Sequence, residues 1–182
     1  MPPQPATDAQ SAATSAPWVI YRHFPSKDEL IREVLVQRYD LIVGSIDAQL
    51  QHATNPVERI KTIFDWYEAW FNTPAFAGCL FERALAEFGT AYAPISDVAI
   101  RYRRKMVEWI GELLADLVSP ETAKRLAAVY MMLLDGATVE ARAFNDSASA
   151  GRAWQAAKSL LEQEMRAGAE HAKHADAHMQ HA

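Results

Sequence analysis

The 182-residue chain has one cysteine, Cys79, so no disulfide can close within it, which fits a reducing compartment. It has no run of about 18 apolar residues, so no membrane-spanning helix is expected. Its first residues, MPPQPATDAQSAATSA, lack the basic start and apolar stretch of a secretory signal, and the expected location is cytoplasmic. Residues 1–21 contain no Lys or Arg. No Gly-rich phosphate loop occurs, no grouping of nucleophile, base and orienting residue, and no carboxylate–His ligand pair. An enzyme is therefore not expected, nor a cofactor or a metal site. No strand-like alternation bounded by turns is found, which leaves an all-α chain.

What remains is rich in core-forming residues. Half of the chain is apolar, and the net charge is −5 with a pI near 5.7. That balance argues against a surface coated in positive charge for general nucleic-acid binding, while allowing a small local basic footprint.

Residues 1–16 are Pro-, Ala-, Ser- and Thr-rich and are expected to form a mobile segment. Pro17 opens a short helix to about Phe24, which Pro25 ends. Ser26-Lys27-Asp28-Glu29 reads as a capping box, in which Ser26 caps and Glu29 reaches back. A long helix follows from Lys27 to about His52, carrying Ile31, Leu35, Ile42, Ile46 and Leu50. Asn55-Pro56 starts a helix with Val57, Ile60, Phe64, Tyr67 and Phe71 at steps of three and four, stopped at Asn72-Thr73-Pro74. A shorter helix is expected over Ala77 to Phe88, with Gly89 as its stop. Pro94 starts another, reaching Leu117. Ser119-Pro120 opens a helix to Phe144, and Asn145-Asp146-Ser147 separates it from a last helix, Ala148 to Met165. These two form an antiparallel hairpin. Roughly seven helices result. The division is 1–16 segment, 17–52 head remnant and connecting helix, 53–168 body, and 169–182 His-rich disordered tail.

The most informative stretch is Tyr21-Arg22-His23-Phe24-Pro25-Ser26-Lys27-Asp28-Glu29-Leu30. With Ile20 before it, it resembles the junction between recognition helix and fourth helix in TetR-family transcriptional regulators. Gly78-Cys79-Leu80-Phe81 and Leu133-Leu134-Asp135-Gly136-Ala137 are similar to segments of that family's ligand-binding bodies. The resemblance spans about residues 18 to 166. It implies a DNA-binding helix-turn-helix head, with phosphate contacts from Tyr21, His23 and Lys27, and Phe24 packing the head on the long helix. It also implies that the head is incomplete. Only twenty residues precede Tyr21, and Thr14 and Trp18 stand where the family has glycines.

The resemblance implies a homodimer through the last two helices, for which Leu126, Tyr130, Leu134, Ala141, Trp154, Ala157 and Leu161 are candidates for core or interface. It further implies a small-molecule effector among the middle helices. Trp66, Trp70, Phe81, Tyr102, Met106, Trp109 and Met131 are candidate pocket walls, each also suited to plain core packing. Glu82 and Arg83 could fix a polar ligand group or be solvated. Arg101 to Lys105 spread around their helix and read as a solvated face. His171, His174, His178 and His181 share a helical face, but a tail with incidental metal affinity is the simpler reading. Cys79 is read as a buried small hydrophobe. The expected function is a TetR-like repressor acting on operator DNA. The alternative is a dimeric small-molecule-binding protein without DNA binding.

Overall fold

The computed structural model describes residues 24–179, with side chains to His171, and the helix expected over 17–24 lies outside them except for Phe24. The described residues form six helices and no strand: α1 (Lys27–Leu50), α2 (Pro56–Phe71), α3 (Leu80–Phe88), α4 (Ala93–Leu114), α5 (Pro120–Phe144) and α6 (Ser149–Met179). The all-α expectation holds.

Side-chain caps set by the local sequence open three of the six described helices. Ser26 Oγ accepts the Glu29 amide at 3.1 Å and opens α1. The expected reciprocal half of that box is not made, because the Glu29 carboxylate turns to Arg32 instead, at 3.4 Å. Asn55 Oδ1 accepts the Glu58 amide at 2.9 Å, and Ser119 Oγ accepts the Thr122 amide at 3.3 Å. Both caps precede a proline in the first turn, where its missing N–H leaves no bond unmade.

Three boundaries differ from the sequence reading. Helix α3 starts at Leu80 rather than Ala77, because Gly78 sits at φ +89°, outside helical space. Helix α4 ends at Leu114, short of Leu117, which bonds back to the Leu114 carbonyl in a turn. Helix α6 runs to Met179 instead of stopping near Met165. Ala167, Ala169, Ala172, Ala175 and Ala177 are strong helix formers, and no proline interrupts them.

The core is one apolar cluster to which every helix contributes. Helix α1 buries Leu35, Ile42, Ile46 and Leu50 on one stripe. Helix α2 is buried around much of its circumference, and Trp66, Tyr67, Trp70, Phe71 and Phe76 form a continuous set of ring contacts, with centroids 5.0–6.0 Å apart. Helices α5 and α6 are locked as a hairpin by polar bonds inside the core. Tyr130 donates to the Ala157 carbonyl at 2.6 Å, and Ser149 donates to the Ala137 carbonyl at 2.8 Å. Arg125 and Glu164 pair across the same two helices at 2.8 Å. Asn145, in left-handed conformation at φ 52°, ends α5 and turns the chain into α6.

Candidate functional site

A partly open cavity of about 90 Å3 lies between α2, α3, α4 and α5. Phe81 and Leu85 of α3, Ala99 of α4 and Met131 of α5 give it apolar walls. Phe81 stacks on Tyr102 with centroids 4.0 Å apart and planes 13° apart, so one wall is a rigid aromatic pair. A recess of about 40 Å3 adjoins it and shares Cys79, Glu82, Asp135 and Thr138.

The polar groups of this cavity come from distant parts of the chain. Tyr67 and Tyr102 place their hydroxyls 2.9 Å apart, both deep in the interior. Burial pushes the Tyr67 phenol well above its ordinary pKa, and the nearby Tyr102 adds to this. Burial does the same to Tyr102. Both phenols therefore stay protonated at neutral pH. At the rim Arg103 pairs with Asp135 at 2.5 Å, joining α4 to α5. The hydrogen bond to Asp135 raises the Arg103 pKa further. Arg142 lies 3.8 Å from Glu82 and packs over Gly78, where an added Cβ would meet Arg142 Cδ at 2.9 Å. Cys79 is half-buried as the residue before α3, and burial pushes its thiol up, so it is no ready thiolate.

Side chains at the cavity reach α1. Tyr39 meets the edge of Tyr102 at 6.5 Å, and Arg101 covers Tyr39 at 4.9 Å. On the other side of α3, Tyr92 donates a hydrogen bond to Asp28 in the first turn of α1. Tyr92 also stacks on Phe88 at the end of α3, with centroids 5.9 Å apart. The connection between α3 and α4 is thus tied to the start of the long helix.

Of the residues singled out from the sequence as pocket walls, the structure brings Phe81, Tyr102 and Met131 together at the cavity. The other four do not line it. Trp66 donates its indole N–H to Ser45 at 2.9 Å and binds α2 to α1. Trp70 lies under Arg38 at 5.6 Å. Met106 is fully buried, and Trp109 is covered by Lys105 at 5.4 Å. Tyr67, Arg103 and Thr138 also line the cavity, as does Asp135 of the Leu133–Ala137 segment, and nothing in the sequence pattern marks these four as pocket residues. Arg103 stood in a basic run read as solvated, and its partner is 32 residues away. Glu82 lines the cavity, whereas Arg83 borders an open groove with Leu30, Ile31 and Val34 of α1.

The seven residues named for core or interface, Leu126, Tyr130, Leu134, Ala141, Trp154, Ala157 and Leu161, are all buried within this chain's own bundle. The outward stripe of α5 is instead Ala128, Met132, Gly136, Val139 and Ala143, spaced by four, four, three and four. Met132 is 58% exposed and Val139 48%. Lys27 is exposed in the first turn of α1. Tyr21 and His23 lie outside the described residues, as do the side chains of His174, His178 and His181.

A larger, open groove of about 540 Å3 lies at the far end, between the α4–α5 connection and α6. Its walls include exposed Asp116, Ser119 and His171, and no buried polar group points to a ligand there. The smaller, four-sided cavity is the better-built site. Among the described residues no cluster of three or more His, Cys, Asp or Glu could hold a metal ion, and no helix is long and apolar enough to cross a membrane.

No protein-family model matches the sequence, and no curated protein does. Solved structures do match. The chain is similar to a TetR-family transcriptional regulator from Streptomyces coelicolor, with a TM-score of 0.75 and 22% identity over 81% of this chain and 77% of the other. A TetR transcriptional regulator from Legionella pneumophila matches with a TM-score of 0.70 and 21% identity, over 85% and 86% of the two chains. A putative regulator of the same kind from Streptomyces avermitilis matches at 0.68 and 23%, over 87% of each chain. The six described helices and their packing are thus the fold of the TetR-family transcriptional regulators.

Proposed function

We propose that this chain is a ligand-responsive transcriptional regulator, a repressor acting as a homodimer on operator DNA. The observation that carries this reading is the cavity between α2, α3, α4 and α5 in a TetR fold, with Tyr92 and Asp28 tying the α3–α4 connection beside it to the start of α1. A ligand there would bias the position of α3 and the α3–α4 connection. Through Asp28 that bias reaches the segment leading into residues 20–27, where Tyr21, His23 and Lys27 are the proposed phosphate contacts.

The proposed dimer uses the exposed α5 stripe, where Met132 and Val139 would otherwise stay in water and Ala128, Gly136 and Ala143 permit close approach. Leu160 of α6, half-buried, would border it. Met132→Glu with Val139→Glu is expected to give monomers in sedimentation, because two carboxylates would be buried unpaired. An unchanged dimer would place the interface elsewhere.

A second reading, a dimeric small-molecule-binding protein without DNA binding, is favoured by one specific feature. Residues 1–21 carry no Lys or Arg, and around the α1 start Arg22, Lys27 and Arg32 are offset by Asp28, Glu29 and Glu33. Fluorescence anisotropy of the full chain on the DNA upstream of its own gene separates the two. Binding that weakens steeply between about 50 and 200 mM salt supports the regulator. A folded dimer that binds at neither salt supports the second reading.

A further inference from the structure

The Tyr67–Tyr102 pair holds two O–H hydrogens but only one O···O contact, at 2.9 Å. One hydroxyl donates to the other, and the second hydrogen has no acceptor among the described residues. Cys79 Sγ and Asp135 line the same cavity, yet neither accepts it. Each hydroxyl oxygen is thus hydrogen-bonded, but one O–H hydrogen stays free to donate, and cavities with such a donor commonly satisfy it with water or a ligand. Both tyrosines are cavity walls, so the spare hydrogen belongs to the site itself.

Charge around the cavity is balanced. Arg103 is taken by Asp135 at 2.5 Å, and Arg142 faces Glu82 at 3.8 Å. An anion entering here would gain no unpaired cation and would sit beside two carboxylates. A cation would have to displace an arginine. Either ion would lose its water without a matching partner. Size sets a further bound. The cavity and its recess, about 90 and 40 Å3, together approach the roughly 150 Å3 in which a benzene-sized guest is held.

We propose that the effector site takes an uncharged molecule of about one ring in size, a ketone or ester, whose oxygen accepts a hydrogen bond from the Tyr67–Tyr102 hydroxyl pair. This rests on reading the cavity as the effector site. The apolar remainder of the ligand contacts Phe81, Leu85, Ala99 and Met131. The pair has the same spare capacity whichever tyrosine donates internally, so it tolerates either orientation of the ligand.

The test uses the full chain and three probes of one shape: cyclohexanone, methylenecyclohexane and cyclohexanecarboxylate. Affinities are read by saturation-transfer NMR titration. Cyclohexanone is expected to bind about tenfold more tightly than methylenecyclohexane, and the carboxylate not measurably. Tyr67→Phe combined with Tyr102→Phe removes both hydroxyls and should make the two neutral probes bind alike. Either single variant still offers one free O–H and should keep the preference. Leu85→Phe, which fills the cavity, should abolish binding of the ketone. Equal affinity of the two neutral probes for the unaltered chain would overturn the acceptor inference and leave the effector site standing. Preference for the carboxylate would do the same. Binding of no probe would remove the effector site as well. Undiminished ketone binding in the Leu85→Phe variant would put the ligand elsewhere and overturn the proposal.

Discussion

Removing the Tyr67 hydroxyl by Tyr67→Phe leaves Tyr102 buried, 3% exposed, with its hydroxyl partner gone. The orphaned group has lost its water and gained nothing, which costs about 1–3 kcal/mol. Tyr102→Phe does the same to Tyr67. Removing both hydroxyls leaves two phenyl rings of nearly the same shape, still stacked against Phe81 and edge-on to Tyr39 and Phe71. That exchange is close to neutral or slightly stabilising, because no polar group remains and the spare O–H hydrogen goes with the pair. The two single losses therefore do not add, and the coupling between the sites, which is their sum less a double loss near zero, is about 2–6 kcal/mol. At about 2–4 °C per kcal/mol for a chain of this size, each single variant should melt several degrees below the parent. The double variant should melt within about 2 °C of it. Thermal melts of the four proteins, followed by circular dichroism at one protein concentration, give the cycle directly. A double variant that melts at the sum of the two single losses would show instead that the hydroxyls act independently.

Two further outcomes follow from single positions. Gly78→Ala should cost about 1–2 kcal/mol for the left-handed backbone alone, and more for the 2.9 Å approach to Arg142 Cδ. Adding Arg142→Ala should recover only the second part, which denaturant melts of both variants would show. Asp146 is held below the ordinary carboxylate pKa by its hydrogen bond from Arg152. Its contribution is present above the unfolded value of about 3.9 and is lost as pH falls through the lowered folded value. In Arg152→Ala an NMR titration should find the Asp146 carboxyl moved up toward that ordinary value, and an unmoved titration would exclude the pairing as its cause.

The parts of this structure visible in the sequence are those set by neighbours along the chain. Asn55 and Ser119 announce their helices because the cap, the proline and the first apolar residue lie within a few positions. Phe81, Tyr102 and Met131 were identifiable as apolar, polarisable residues suited to a pocket. Trp66 and Trp70 carry the same signal but pack on α1, and only the angle between α1 and α2 decides that. The Tyr67–Tyr102 and Arg103–Asp135 pairs span 35 and 32 residues, so their existence depends on how α2, α4 and α5 pack together. The late start of α3 has a similar origin, since Arg142 of α5 packs over Gly78. The seven apolar positions on α5 and α6 share their composition with any interface. Burial in this chain's own core separates them from the exposed stripe at Met132 and Val139.

Occupancy of the cavity should be felt at α1. Hydrogen exchange of the full chain, with and without saturating cyclohexanone, reads this out along the sequence. Slower exchange is expected at the cavity walls and also in α1 from Ile31 to Val43, on the far side of the Tyr92–Asp28 and Tyr39–Tyr102 contacts. Protection confined to residues lining the cavity, with α1 unchanged, would contradict it.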